Sequence, residues 1–155
     1  MQCEPKREYK ASFQFVAGAD ICPVSRQDVQ ISDEEDFALM GLSIRPSETA
    51  SVADFRTLLY NCELEIVNER GKVEVSVALM DLPSTPVPSP AEGMPLVHFW
   101  ASETVELRIL FDPTRPTAKR LVGPVEITIL MAGRNKHKAK EKATKKAARK
   151  KRATA

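Results

Sequence analysis

Two runs of alternating apolar and polar residues constrain the fold most, because they are predicted to pair with each other. Residues 62–67 (CELEIV) and 72–80 (KVEVSVALM) place apolar side chains at every second position. A period of two is typical of a β-strand with one buried face. The four residues between the runs end in Gly71, which suits a tight turn. The sequence therefore predicts a β-hairpin with one face in the core and one acidic face exposed to solvent.

Other segments extend the same pattern. Further short strands are predicted at residues 9–16, 37–45, 96–99, 104–111 and 121–131. Gly41 inside a strand indicates a bulge or a close backbone approach, and residues 25–36 are polar enough to predict a loop. Ser51 has the position of a helix N-cap, so a short helix is predicted that gives way to a strand near Leu58. The fold class predicted is all-β, a β-sandwich or jelly-roll-like fold with at most one short helix.

Charge divides the chain into two parts. Residues 134–155 hold eleven of the 23 basic residues and one of the 21 acidic residues, a net charge of +10, which leaves residues 1–133 at −8. We therefore predict a β-sandwich domain over 1–133 and a basic tail over 134–155, disordered when free or conditionally helical. The predicted nucleic-acid-binding residues are Arg134, Lys136, Lys138, Lys140, Lys142, Lys145, Lys146, Arg149, Lys150, Lys151 and Arg152.

The density of charge in the basic tail predicts its partner. Lysine and arginine side chains that neutralise phosphates release condensed counterions, so binding should weaken steeply with salt. The basic tail has no aromatic residue on which bases could stack, so we expect single-stranded RNA or DNA to bind without sequence preference. Residues 145–152 (KKAARKKR) also suit a nuclear import signal that contacts an importin, and an anionic membrane is a further alternative.

The acidic sheet face offers the basic tail a competing partner within the protein or on a neighbouring subunit. Under this hypothesis the tail folds back until nucleic acid displaces it. The glutamates expected on that face are Glu63, Glu65, Glu74, Glu106 and Glu126.

Residue types that carry catalysis or bind metals are sparse. The two histidines are His98, expected to be packed or hydrogen-bonded, and His137, and no spacing of His or Cys predicts a zinc site. The acidic run 33–36 could bind a cation, but solvated surface is the favoured interpretation. Three widely spaced cysteines, Cys3, Cys22 and Cys62, predict reduced thiols. We expect no metal and no cofactor.

A catalytic centre cannot be assembled from these residues. The sequence contains no phosphate-binding P-loop and no G-x-S-x-G elbow. A deep pocket that collected His98, Asp81 and Asp112 would favour an enzyme, but nothing in the sequence predicts that the three meet. We therefore expect a non-enzymatic protein.

Two segments carry a family resemblance. Residues 71–81 (GKVEVSVALMD) and 123–131 (GPVEITILM), the latter followed by basic residues, resemble strands of the thirty-kilodalton superfamily of plant-virus movement proteins. The resemblance covers about residues 60–135. It implies a jelly-roll-like core related to viral coat proteins, sequence-independent binding of single-stranded nucleic acid, and action at plasmodesmata. It also implies a role for Asp81, which otherwise reads as a turn residue at the end of a strand.

These observations predict a movement-protein-like viral protein that binds nucleic acid. One alternative is a small viral coat protein that packages the genome. Another is a host-interaction module, a silencing suppressor or nuclear regulator, with the basic tail as import signal. We expect a homo-oligomer in the host cell cytoplasm, at plasmodesmata or in the nucleus, or in the virion for a coat protein.

Overall fold

The computed structural model describes residues 6–17, 23–84, 97–112, 114 and 120–137. Eight strands and one α-helix lie within these ranges. The elements are β1 (Lys6–Phe15), β2 (Val24–Gln30), β3 (Glu35–Pro46), α1 (Val52–Asn61), β4 (Cys62–Val67), β5 (Val73–Ala78), a 3₁₀ turn (Leu79–Asp81), β6 (Val97–Phe99), β7 (Thr104–Phe111) and β8 (Val125–His137).

The strands form two four-stranded antiparallel sheets. Sheet 1 has the order β1-β8-β3-β6, and sheet 2 has the order β2-β7-β4-β5. Apart from β4 and β5, which a hairpin joins, strands that lie side by side in a sheet are distant in sequence. Eight antiparallel strands arranged in two sheets of this order make a jelly roll. The all-β prediction is thus confirmed, with one short helix between β3 and β4.

The core lies between the two sheets. Each strand sends alternate side chains inward, as in β7, where Val105, Leu107 and Ile109 are at most 1% exposed. Burying an aliphatic or phenylalanine side chain of this kind contributes roughly 1.5–3 kcal/mol. The largest fully buried side chains are Phe13, Phe37, Phe99, Ile31, Leu39, Leu58, Leu64, Ile66, Leu79, Leu107, Ile109 and Leu121.

The predicted hairpin is confirmed as β4 and β5, with Leu64 opposite Val77 and Ile66 opposite Val75. Its turn is held by Asn68, whose side-chain oxygen accepts hydrogen bonds from backbone N–H groups two and four residues ahead. Gly71 has φ +84°, a left-handed conformation that favours glycine. β5 is an edge strand and is less buried than its alternation suggested.

The helix begins where predicted but ends later. Ser51 Oγ accepts a hydrogen bond from Asp54 N at 3.1 Å, which confirms the N-cap. The expected change to a strand near Leu58 is wrong, because α1 continues to Asn61 and β4 begins at Cys62. Apolar residues do alternate from Leu58 onward, but the part before Cys62 continues the β4 pattern only by coincidence. Leu58 is a residue of α1 and is buried from there.

Residues 25–36 were predicted to be a loop, and this is wrong for most of them. β2 covers Val24–Gln30 and pairs with β7 along its whole length, while β3 begins at Glu35. β2 is an edge strand whose one buried side chain is Val29. Pairing with β7 therefore outweighs a local sequence that carries little apolar signal.

Two further details concern sheet 1. The bulge predicted at Gly41 is confirmed, because Leu39 pairs with Gly133 and Gly41 pairs with Ala132, which leaves Met40 as the extra residue. β8 continues beyond Gly133, where we expected the folded part to close, and reaches His137. The first four residues assigned to the basic tail therefore belong to sheet 1.

Candidate nucleic-acid interface

β8 carries the first predicted binding residues. Arg134 is exposed and lies between Lys6 of β1 and Ala38 of β3 in the sheet register. Lys136 occupies the position opposite Asp36. The remaining predicted binding residues lie outside the described part of the chain: Lys138, Lys140, Lys142, Lys145, Lys146, Arg149, Lys150, Lys151 and Arg152.

A groove of about 680 Å³ runs over the outer face of sheet 1. Its apolar floor includes Met40, Leu130 and Ala132. Met40 and Leu130 are 7% and 8% exposed, although they lie on the side of the sheet away from the core. Ser43, opposite Leu130 in the register, is fully buried, and its Oγ has no hydrogen-bond partner among the described residues. The outer face of sheet 1 is therefore a concave, sheltered surface.

Three cations from three adjacent strands line this groove: Lys10 of β1, Arg45 of β3 and Arg134 of β8. In register, Lys10 lies beside position 130 of β8 and Arg45 beside position 128. Positions 128 and 134 are six residues apart, which is roughly 20 Å along a strand. The cations thus follow the length of β8 towards the basic tail.

Other charged groups also line the groove. Glu8 and Glu48 contribute carboxylates. Arg7 borders the groove, but its guanidinium lies 5.0 Å from the centroid of the inward-facing Tyr9 ring and therefore points towards the inner face of sheet 1. On the outer face, three cations against two carboxylates leave the groove a net charge of +1. The Arg45 side chain is oriented by a hydrogen bond from its Nε to the Ser84 carbonyl at 3.3 Å.

The outer face of sheet 2 is acidic. Glu63, Glu65, Glu74 and Glu106 alternate there with core residues, as predicted. Glu106 contacts Arg108 and lies 3.9 Å from Arg26 Nε. The fifth residue assigned to this face, Glu126, is wrong, because it belongs to β8 in sheet 1 and pairs with Gln14 of β1.

The acidic run 33–36 is not simply solvated surface. Asp36 is fully buried; its Oδ1 accepts a hydrogen bond from Ala101 N at 2.8 Å, and its Oδ2 lies 3.2 Å from His98 Nε2. Asp33 Oδ1 accepts from Ser102 Oγ at 2.7 Å. Ser102 has φ +67°, which is uncommon for a residue other than glycine. These carboxylates thus hold the turn between β6 and β7.

His98, Asp81 and Asp112 are not collected by the groove. His98 contacts Asp36 and packs edge-on against Trp100, with ring centroids 4.7 Å apart, as expected for a hydrogen-bonded residue. Asp81 is exposed at the end of the 3₁₀ turn. Asp112 Oδ1 accepts from Thr114 N at 2.9 Å, the turn contact that Asp-Pro predicts.

Among the described residues, two acidic groups have shifted pKa values. The backbone N–H groups of Val122 and Gly123, each 2.9 Å from a carboxylate oxygen of Asp54, lower the pKa of Asp54. Asp54 thereby fastens the segment before β8 to α1. Burial raises the pKa of Glu103, the residue before β7, and a hydrogen bond from the Trp100 backbone partly opposes that rise.

Within the described residues, no group of three or more His, Cys, Asp or Glu side chains could hold a metal ion. No helix among them is long and apolar enough to cross a bilayer. Cys62 is buried and is not in a disulfide. Cys3 and Cys22, like the prolines of 85–96, lie outside the described part of the chain.

Sequence reasoning missed Lys10 and Arg45 as candidate binding residues. A weak signal was present, because Lys10 lies between the inward-facing Tyr9 and Ala11 and so must point outward. Nothing in the sequence showed that β1 and β3 both flank β8, which is what brings these cations together. Comparison with protein-family models, curated proteins and solved structures returns no match for this chain.

Proposed function

We propose that this chain is a non-enzymatic, virus-type protein that binds single-stranded RNA or DNA without sequence preference through its basic tail. The observation that carries the proposal is charge segregation, with +10 in residues 134–155 against −8 in the remainder. Polyphosphate chains are the natural counterions of such a segment, because each neutralised phosphate releases condensed ions. The resemblance to movement proteins supports the viral assignment, and a jelly roll suits either a movement protein or a coat protein.

The test is binding of fluorescein-labelled single-stranded RNA, followed by fluorescence anisotropy over a salt series. With six to ten phosphates engaged, log K should fall with log salt at a slope of roughly −4 to −7. The informative truncation removes residues 138–155, because removal from residue 134 would cut β8. We expect this truncation, and a full-length variant with Lys145, Lys146, Lys150 and Lys151 changed to Gln, to bind much more weakly.

A matched control separates nucleic-acid binding from nuclear import. A full-length variant with residues 138–155 in scrambled order keeps the charge but disrupts the basic run 145–152. Binding through counterion release should survive scrambling, whereas recognition by an importin should be lost. Absence of RNA and DNA binding by the full-length protein at low salt would contradict the proposal.

A second candidate, a small coat protein, is favoured by the strand order β1-β8-β3-β6 and β2-β7-β4-β5. This jelly-roll architecture recurs in viral capsid domains, although also in lectins and cupins. Light scattering and electron microscopy of the protein with RNA discriminate between the two. Closed symmetric shells favour the coat protein, and cooperative coating of single strands favours the movement protein.

A further inference from the structure

We propose that the groove on the outer face of sheet 1 is a second contact surface for single-stranded nucleic acid, continuous with the basic tail. The inference rests on the proposed function and assigns a defined path to the bound strand. It adds Lys10 and Arg45, which lie far from the basic tail in sequence, to the residues that contact phosphates.

The groove and the basic tail are continuous along one strand. β8 forms the centre line of the groove, and the same strand leads into the basic tail. Arg134 belongs to both, because it lines the groove and is the first basic residue of the tail. A nucleic-acid strand held by the basic tail is therefore delivered to the end of the groove that Arg134 marks.

The charge and the dimensions of the groove suit a single strand. The groove holds three outward-facing cations against two carboxylates, and the Arg45 and Arg134 positions are roughly 20 Å apart along β8. A strand at a helical rise of about 3.4 Å would place about six phosphates over that length, and an extended strand fewer. A positively charged groove that follows the backbone is how single strands are held without sequence preference.

The floor of the groove is apolar. Met40 and Leu130 give the groove an apolar base between its cations. Bases of a single strand can lie against such a floor, while the phosphates face Lys10 and Arg45 on either side. The described lining contains no aromatic ring, so contact with the floor would not select one base over another. The groove volume of about 680 Å³ falls within the range of roughly 300–1,000 Å³ that is usual for ligand sites.

The test uses the full-length protein and a labelled oligouridine of about 20 nucleotides, in salt from about 50 to 200 mM. The groove variant is Lys10→Gln with Arg45→Gln. The matched control is Arg56→Gln with Arg70→Gln, which removes the same charge from α1 and the β4–β5 turn. Two lost phosphate contacts should reduce the magnitude of the salt slope by about 1.4 and weaken binding roughly 20-fold near 100 mM, whereas the control should retain the wild-type slope.

Arg45→Lys addresses folding, because it keeps the charge but loses the guanidinium bond to Ser84. This variant should bind RNA like the wild type. If it loses binding as Lys10→Gln/Arg45→Gln does, the defect is structural and the inference is overturned.

The outcomes separate the two proposals. If the groove variant and the control have equal salt slopes while binding still depends on the basic tail, the groove is not a contact surface for nucleic acid. The proposed function then stands. Wild-type affinity in the variant with four tail lysines changed to Gln overturns the proposed function. Failure of the wild-type protein to bind overturns both.

Discussion

The groove on sheet 1 and the outer face of sheet 2 differ in the sign of their charge and in how that charge is compensated. On sheet 2, Glu106 has Arg108 and Arg26 beside it, and Glu74 accepts a hydrogen bond from Asn68 at 2.7 Å. On sheet 1, Lys10 and Arg134 form no ion pair with any other described residue. A side chain whose charge is already compensated by a neighbouring side chain gains little free energy from binding a charged ligand. The cations of sheet 1 are therefore the better placed to bind one.

Burial gives the second difference between the faces. Leu130 and Met40 on the outer face of sheet 1 are nearly as buried as core residues, whereas the glutamates of sheet 2 are half-buried. On its core side, sheet 1 also contains the close approach of β8 to β3 at Gly133, next to the buried Phe37 ring. Changes on sheet 1 are therefore expected to cost more stability than matched changes on sheet 2.

The largest effect is expected at Gly133. A Cβ at this position would lie 2.0 Å from the carbonyl oxygen of Ala38 and 2.8 Å from atoms of the Phe37 ring. Because the nearer atom is backbone, β3 and β8 would have to separate. We expect Gly133→Ala to lower the free energy of unfolding by about 3 kcal/mol or more, measured by urea denaturation.

Gly71 in the sheet 2 hairpin is the matched control. A Cβ there meets nothing within 4 Å, so the cost of Gly71→Ala arises from its φ of +84°. That cost should be about 1 kcal/mol. Equal losses for the two variants would show that the close approach at Gly133 does not distinguish the sheets.

Local pattern predicted the parts of the fold in which each strand buries one complete face. The β4–β5 hairpin and β7 alternate fully and were predicted within about two residues of their ends, as is usual for strongly periodic segments. β2 was missed because it has one buried side chain, Val29, which leaves no alternation to detect. Its pairing with β7 is a tertiary effect that the local sequence does not encode.

The candidate site was predictable to a smaller extent. The basic tail follows from a count of charges, because like charges cluster in sequence. The groove does not, since Lys10, Arg45 and Arg134 come from three strands that only the sheet order brings together. Asp36 was misassigned for the same reason: its partners, Ala101 and His98, are more than sixty residues away.

A somewhat smaller loss of stability is expected from Asp36→Ala. This buried carboxylate accepts a hydrogen bond from Ala101 N and contacts His98, so its removal leaves a buried donor without a partner. We expect a loss of about 2–3 kcal/mol in the free energy of unfolding. Asp33→Ala is the control; its exposed side chain accepts from Ser102 Oγ, and its loss should cost less than about 1 kcal/mol. Similar losses of stability for the two variants would mean that Asp36 contributes no more than an exposed residue of the acidic run.

A still smaller effect is expected when charge is removed from the acidic face. Glu63→Gln with Glu65→Gln should raise the affinity for single-stranded RNA by less than about threefold, without changing the salt slope, because screening weakens charges beyond about 8–10 Å. The measurement is the same anisotropy titration. A larger gain would indicate that these glutamates hold the basic tail in the free protein and compete with RNA, as the fold-back hypothesis requires.

The smallest effect is expected when the pH is changed, and it compares two carboxylates. Asp54 fastens the segment before β8 of sheet 1, and Glu103 lies directly before β7 of sheet 2. The pKa of Asp54 is lowered from its ordinary 3.8 by the Val122 and Gly123 N–H groups, so its contribution is complete above pH 3.8 and is lost as pH falls below that value. Burial raises the pKa of Glu103 above its ordinary 4.5, so its ionisation opposes folding at neutral pH, and the penalty disappears as pH falls through the raised pKa to 4.5.

Urea denaturation between pH 7 and pH 3 checks both signs. Asp54→Asn should be less stable than the wild-type protein at pH 7, and the difference should shrink as the pH falls below 3.8. Glu103→Gln should be more stable at pH 7, with the gain gone at pH 4.5. Because the two differences have opposite sign and disappear in different pH ranges, a general loss of packing would not reproduce them. A Glu103→Gln variant that is less stable at pH 7 would mean that the hydrogen bond from the Trp100 backbone to this carboxylate outweighs its burial.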